Sequence, residues 1–257
     1  ILVTPGFATT NVNETTRMSV VQNLLEKGAA WTDGSYYFNY VDMAFYRGHF
    51  YSSQLPLLPV YSALVSVPLH ALTGFDSPEG RMALYYWIVL TSSGVGFWFI
   101  YLLVTRLCRR LPPFRGQEGW ILAAIFLGSP LLAASPAYTS HILEGMLGLA
   151  GLYFFLRHRQ EPRALWALAA GGVLALSSQI HPLAGGIFLI TGGLYFLVRH
   201  WRHGVWFVGA TLVVLALTTG LHLKLYGTAK PFYFSTEKYL FMIDSKTPNE
   251  WLRNPSN

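Results

Sequence analysis

The chain has 257 residues, 53% of them hydrophobic and only 12% charged, with a mean hydropathy of +0.37. Soluble domains carry charge on about a quarter of their residues, so the composition indicates an integral membrane chain and excludes a disordered tail, a coiled coil and a disulfide scaffold. The net charge of +6 does not point to nucleic acid, because the basic residues fall in short loops between apolar stretches, where they report membrane orientation.

In chain order, Ile1-Leu2-Val3 reads as the end of an apolar segment whose beginning precedes the sequence. Thr15 to Gly28 follows with apolar residues at Met18, Val20, Val21, Leu24 and Leu25. That spacing predicts an amphipathic helix on the membrane surface, with Asn13 or Thr15 as its N-cap and Gly28 as its stop. The aromatic-rich run Tyr36 to Tyr51 predicts a short hairpin turning at Arg47-Gly48. Leu55 to Gly74 is apolar, but Pro56, Pro59 and Pro68 shorten its helical run, and a crossing here would invert the loops that follow. It is expected as an interfacial or re-entrant helix.

Six uncharged stretches then predict six spans: Met82 to Thr105, Trp120 to Ser140, Ile142 to Leu156 (interrupted by Glu144), Ala164 to Ile180, Leu183 to Val198 and Val205 to Leu223. They run from 15 to 24 residues, against the roughly 20 that cross a hydrocarbon core. Three short connections hold half of the 18 Lys and Arg. These are Arg106 to Arg115, Arg157 to Arg163 and Arg199 to Arg202, and the positive-inside rule makes all three cytoplasmic. The non-basic connections Pro136 to His141 and Ser177 to Pro182 are then external. The expected organisation is an all-α integral membrane protein in three parts. Residues 1–81 are the end of a first membrane helix and an external loop with interfacial helices, residues 82–223 are the helical bundle, and residues 224–257 are a second external segment of a chain that continues.

Chemistry is expected on the external face. Glu14 begins the surface helix, where the helix dipole favours a carboxylate; it is either a general base or a plain N-terminal acid. Asp42 is either a second active-site carboxylate or a hairpin-edge charge. His141 and Glu144 share a helix face at the outer start of a span, as an interfacial pair or facing a polar cavity. His181 lies at the same level two helices later, as a ligand-facing or a packing residue. Arg17, Lys230 and Lys238 are on this face too. The single cysteine, Cys108, forms no intramolecular disulfide and no Cys-based metal site. No His-x-x-x-His or Glu-x-x-His pair appears, so a divalent metal is open as a cofactor but is not indicated by ligand spacing. Phosphate-binding glycine loops and the Gly-x-Ser-x-Gly motif are absent as well.

Asn13-Glu14, Arg17, a helix ending at Gly28, and Gly48-His49-Phe50-Tyr51-Ser52-Ser53-Gln54-Leu55-Pro56-Leu57 resemble the first external loop of GT-C glycosyltransferases. The branch most alike is the bacterial one related to protein O-mannosyltransferases and the aminoarabinose transferase of lipid A. The helix from Arg81 to Arg110, the Ser135 to Glu144 turn and the span from Gly171 to Pro182 are also similar to that family. The resemblance implies a GT-C-like bundle of about six spans and inverting transfer of a sugar from a polyprenyl-phosphate donor to a lipid, glycan or protein acceptor. It implies Glu14 as catalytic base; beside it Asp42 is a candidate second catalytic carboxylate, and Arg17, His49, Tyr51, Gln54, His141, Glu144, His181 and Lys230 are candidate substrate contacts. The implied location is the plasma (inner) membrane, with the site on the external or periplasmic face. Two positions depart from the family: Asn13 stands where an Asp usually precedes the Glu, and Gln54-Leu55-Pro56 where Lys-Pro-Pro is common. These departures leave a second expectation, a catalytically inactive subunit of a membrane complex that keeps the scaffold. A transporter lacks its usual mark, paired broken helices in corresponding halves.

Overall fold

The computed structural model describes residues 12–38, 43–128, 138–229 and 231. Apart from one hairpin, the described chain is almost wholly helical. It divides into two compact units, Ile1–Trp87 with Thr219–Asn257, and Ile88–Thr218.

In the first unit, α1 (Val12–Lys27) ends at Gly28, whose φ of +64° is the left-handed conformation of a helix stop. Strands β1 (Met43–Tyr46) and β2 (His49–Ser52) pair antiparallel with Tyr46 opposite His49. The hairpin turns where expected: Arg47 and Gly48 both have positive φ, 50° and 86°, the two-residue turn whose twist matches the strands. α2 (Leu57–Thr73) packs against α1.

Two expectations for this unit are corrected. Asn13 and Thr15 lie inside α1, not at its cap, and α1 is not a surface helix. Glu14 to Asn23 are all buried, and the polar side chains of α1 find partners in the loop of residues 31–36, at Gln54 and at Tyr85. The prolines also fail to shorten α2. Pro59 sits in the first turn, where no N–H is needed, and the helix continues through Pro68. One turn before Pro68, the Val65 carbonyl accepts a hydrogen bond from the Trp87 indole N–H at 2.9 Å.

α3 (Pro78–Arg110) is one 33-residue helix. Its middle, Leu90–Gly94, widens into a π-turn around Thr91 and Ser92, whose hydroxyls bond back to the Ile88 carbonyl. The second unit continues with α4 (Glu118–Leu127), α5 (Ser140–Gln160), α6 (Ala164–Ile180), α7 (Pro182–Arg199) and α8 (Trp201–Tyr226), whose last turns belong to the first unit. α5 lies along α6, and α6 along α7. Glycines permit the close approaches: a Cβ on Gly171 would come within 2.3 Å of the Phe207 carbonyl oxygen, and one on Gly185 within 2.4 Å of the Ser178 nitrogen. Ala167, Ala170, Leu174, Phe196 and Phe207 form the core at these contacts.

Among the described residues, three helices are long and apolar enough to cross a membrane: α3, α7 and α8. Large apolar side chains such as Leu183, Val198 and Leu217 stand exposed along α7 and α8, the arrangement expected where lipid replaces water. α4 and α6 are apolar but have only 10 and 17 residues. α5 has 21, and Glu144 with Arg157 and Arg159 makes it less apolar than the other three. Several boundaries move. Ser140 opens α5 and does not end the span expected from Trp120, His141 is helical, and α5 runs through Arg157 and Arg159 to Gln160. The connection expected over Ser177 to Pro182 shrinks to the single residue His181.

Candidate functional site

In the first unit the expected residues separate into two groups. Glu14 is in the opening turn of α1 and only 4% exposed, and its Oε2 accepts a hydrogen bond from the Tyr85 hydroxyl at 3.0 Å. Arg17, one turn later and also 4% exposed, donates to Gln54 Oε1 at 3.4 Å. Residues three apart share a helix face, so α1 presents a buried carboxylate and a buried guanidinium side by side. α3 supplies Tyr85 and the segment after β2 supplies Gln54. A carboxylate oriented by a hydroxyl suits proton transfer, and the neighbouring cation suits an anion. Tyr85 was not foreseen: it is 71 positions from Glu14 and reaches it only by packing.

His49 and Tyr51 make other contacts. His49 Nδ1 pairs with Asp33 Oδ2 at 2.7 Å, and its ring stacks on Trp31 with centroids 4.4 Å apart. Asp33 Oδ1 also accepts from the Phe50 backbone N–H at 2.9 Å, so Asp33 ties the loop to the hairpin. The Asp33-Gly34 turn pattern was its only sequence signal. Tyr51 packs edge-on to Tyr226. Burial raises its hydroxyl above its ordinary value, the Asp33 carboxylate adds to this and Arg47 opposes it, so Tyr51 stays protonated and serves as a hydrogen-bonding or packing group. Asp42 and Lys230 lie outside the described residues, as does Lys238.

The loop over α1 is pinned from below. Fully buried Asn23 donates to the carbonyls of Trp31 at 2.7 Å and Asp33 at 3.1 Å, while Gln22 Oε1 accepts from the Ser35 hydroxyl and the Tyr36 N–H. Asn23→Ala strands both carbonyls and is expected to cost about 2 kcal/mol or more, read as a lowered denaturation midpoint; an unchanged midpoint would show that the loop is held by other contacts.

The second unit brings His141, Glu144 and His181 together. Thr139 caps α5, its hydroxyl accepting from the His141 N–H at 3.3 Å, which fixes the first turn and stacks Glu144 over His141. α6 ends at Ile180 because Pro182 disfavours a helical residue before it; His181 is accordingly extended, with φ −139° and ψ 101°. Glu144 Oε2 lies 3.5 Å from His141 Nδ1 and its Oε1 lies 3.6 Å from His181 Nδ1. An apolar cavity of about 560 Å³ runs along α5 from His141 and Glu144, lined further by Gly148, Leu152, Phe155, Phe188 and Tyr195. The 11 helical steps from Glu144 to Phe155 advance about 16 Å, so the cavity suits an elongated apolar ligand with a polar end.

At the far end of α5, buried His158 Nε2 lies 2.7 Å from His203 Nδ1, with His200 packed beside it. A hydrogen bond between two imidazole nitrogens requires one donor and one acceptor, so this contact uses at least one neutral ring.

Compared with family models, curated proteins and solved structures, the chain matches none.

Proposed function

We propose that the chain is a GT-C-like glycosyltransferase, built on the six-span arrangement read from its loop charges, that moves a sugar from a polyprenyl-phosphate donor to an acceptor at the external face of the plasma membrane. The observation that carries this reading is the buried Glu14 carboxylate, oriented by Tyr85 and one helical turn from buried Arg17. In the proposed step Glu14 accepts the proton of an acceptor hydroxyl or amine, and the acceptor's lone pair attacks the anomeric carbon. The bond from that carbon to the phosphate oxygen breaks, and the electron pair leaves with the polyprenyl phosphate. The configuration inverts because displacement is direct. Arg17 offsets the charge growing on the departing phosphate, with Lys230 as a second cation and Asp42 as a second carboxylate in the reading from resemblance. The apolar cavity along α5 supports a lipid-borne ligand.

The second reading, a non-catalytic subunit, draws support from the Arg17–Gln54 hydrogen bond, which gives Arg17 a structural task. Donor kinetics separate the two. Arg17→Ala is expected to raise the KM for a polyprenyl-phosphate sugar by roughly tenfold or more, the worth of a charge-assisted hydrogen bond, with a smaller effect on kcat. An unchanged KM would remove Arg17 from phosphate binding and leave it the structural role.

A further inference from the structure

The geometry points to a binding site for a first-row divalent transition cation, of the zinc class, formed by His141, Glu144 and His181; it stands apart from the glycosyl-transfer reading and does not rest on it. The ligand-bearing atoms of all three lie within 4.8 Å of one another. The separations themselves are informative. At 3.5 and 3.6 Å, Glu144 to His141 and Glu144 to His181 are too long for charge-assisted hydrogen bonds, which settle at about 2.7–2.9 Å. They match a shared cation: two bonds of about 2.1 Å at the tetrahedral angle hold their donor atoms roughly 3.4 Å apart.

A second observation concerns His181. Its Nδ1 is buried and makes no hydrogen bond, although Glu144 Oε1 is the nearby acceptor. A buried polar atom without a partner is costly, and a cation between the nitrogen and the carboxylate satisfies both. Glu144 is itself only 13% exposed at its side chain, and a carboxylate this enclosed is stabilised by a positive charge.

The ligand set selects the ion. Two imidazoles and one carboxylate suit zinc and its neighbours, whereas magnesium and calcium prefer all-oxygen shells. Three protein ligands leave a fourth position for water or for an oxygen of a bound molecule, and two of them, His141 and Glu144, line the apolar cavity. Spacing along the sequence does not reveal this site because the third ligand comes from the α6–α7 junction. Pro182 sets its extended backbone, and the packing of α5 on α6 brings it to α5.

The test is zinc binding to the full chain, purified without a polyhistidine tag, stripped with chelator and titrated with zinc in competition with an indicator dye. The expected result is one equivalent per chain, with Glu144→Gln and His181→Ala each weakening affinity at least about a hundredfold, the upper range reached even by outer partners of metal ligands. His70→Ala, on α2, is expected to leave affinity unchanged. X-ray absorption of the zinc-loaded parent provides a reading that needs no variant: a shell of nitrogen and oxygen with imidazole scattering and no sulfur. Absence of stoichiometric binding, equal affinity in the cluster variants, or a sulfur-containing shell would each overturn the site.

Discussion

Glu14→Gln is expected to lower kcat for sugar transfer by about 100- to 10,000-fold, the range a positioned general base supplies, while the protein still folds. The amide has the shape of the carboxylate and can still hydrogen-bond the Tyr85 hydroxyl, now 3.0 Å from Oε2, so packing around this buried position is preserved. It cannot take a proton from the acceptor. The loss therefore falls on kcat, with donor KM little changed, which distinguishes it from Arg17→Ala. Near-parental turnover in Glu14→Gln would remove this carboxylate from the chemistry.

The largest effect on stability is expected at the helix crossings of the second unit, and adjacent glycines provide the control. Gly171→Ala drives a methyl against the backbone of α8, within 2.3 Å of the Phe207 carbonyl oxygen, whereas a Cβ on Gly172 meets nothing within 4 Å. Gly185 and Gly186 repeat the contrast at the α6–α7 contact: a Cβ on Gly185 meets the Ser177 and Ser178 backbone, and one on Gly186 meets nothing within 4 Å. A backbone cannot rotate aside as a side chain does, so overpacking here costs about 3 kcal/mol. At the open positions, alanine gains up to about 1 kcal/mol of helix propensity over glycine. Thermal unfolding in detergent is expected to separate Gly171→Ala from Gly172→Ala, and Gly185→Ala from Gly186→Ala, by several degrees. Like behaviour within a pair would mean that the helices do not approach as closely as described.

The features legible in the sequence were those set by short-range rules. The Arg47-Gly48 turn was readable because a two-residue hairpin needs two positive φ angles, and the His141–Glu144 pair because residues three apart share a helix face. α1 misled for a physical reason. Thr15, Thr16, Gln22 and Asn23 look like the wet side of a surface helix, yet they are buried, and Gln22 and Asn23 hold the loop from Trp31 to Tyr36. The prolines of α2 misled because Pro59 falls in the first turn and the helix bridges Pro68. Tyr85 was beyond sequence reasoning of this kind, since it meets Glu14 across 71 positions, whereas His181 was legible as a candidate at the level of His141 and Glu144 and only its approach to Glu144 depends on the packing of α5 on α6.

The most direct test of the glycosyltransferase reading is turnover by the purified full-length protein and its Glu14→Gln variant, each incubated with a panel of polyprenyl-phosphate sugars and lipid, glycan and peptide acceptors, with products followed by mass spectrometry. The account predicts that the parent releases polyprenyl phosphate and transfers the sugar from at least one donor, while the variant, equally well folded, does not. Silence from the parent across the panel would contradict the enzyme and favour the scaffold subunit, and equal turnover by both proteins would contradict Glu14 as the base.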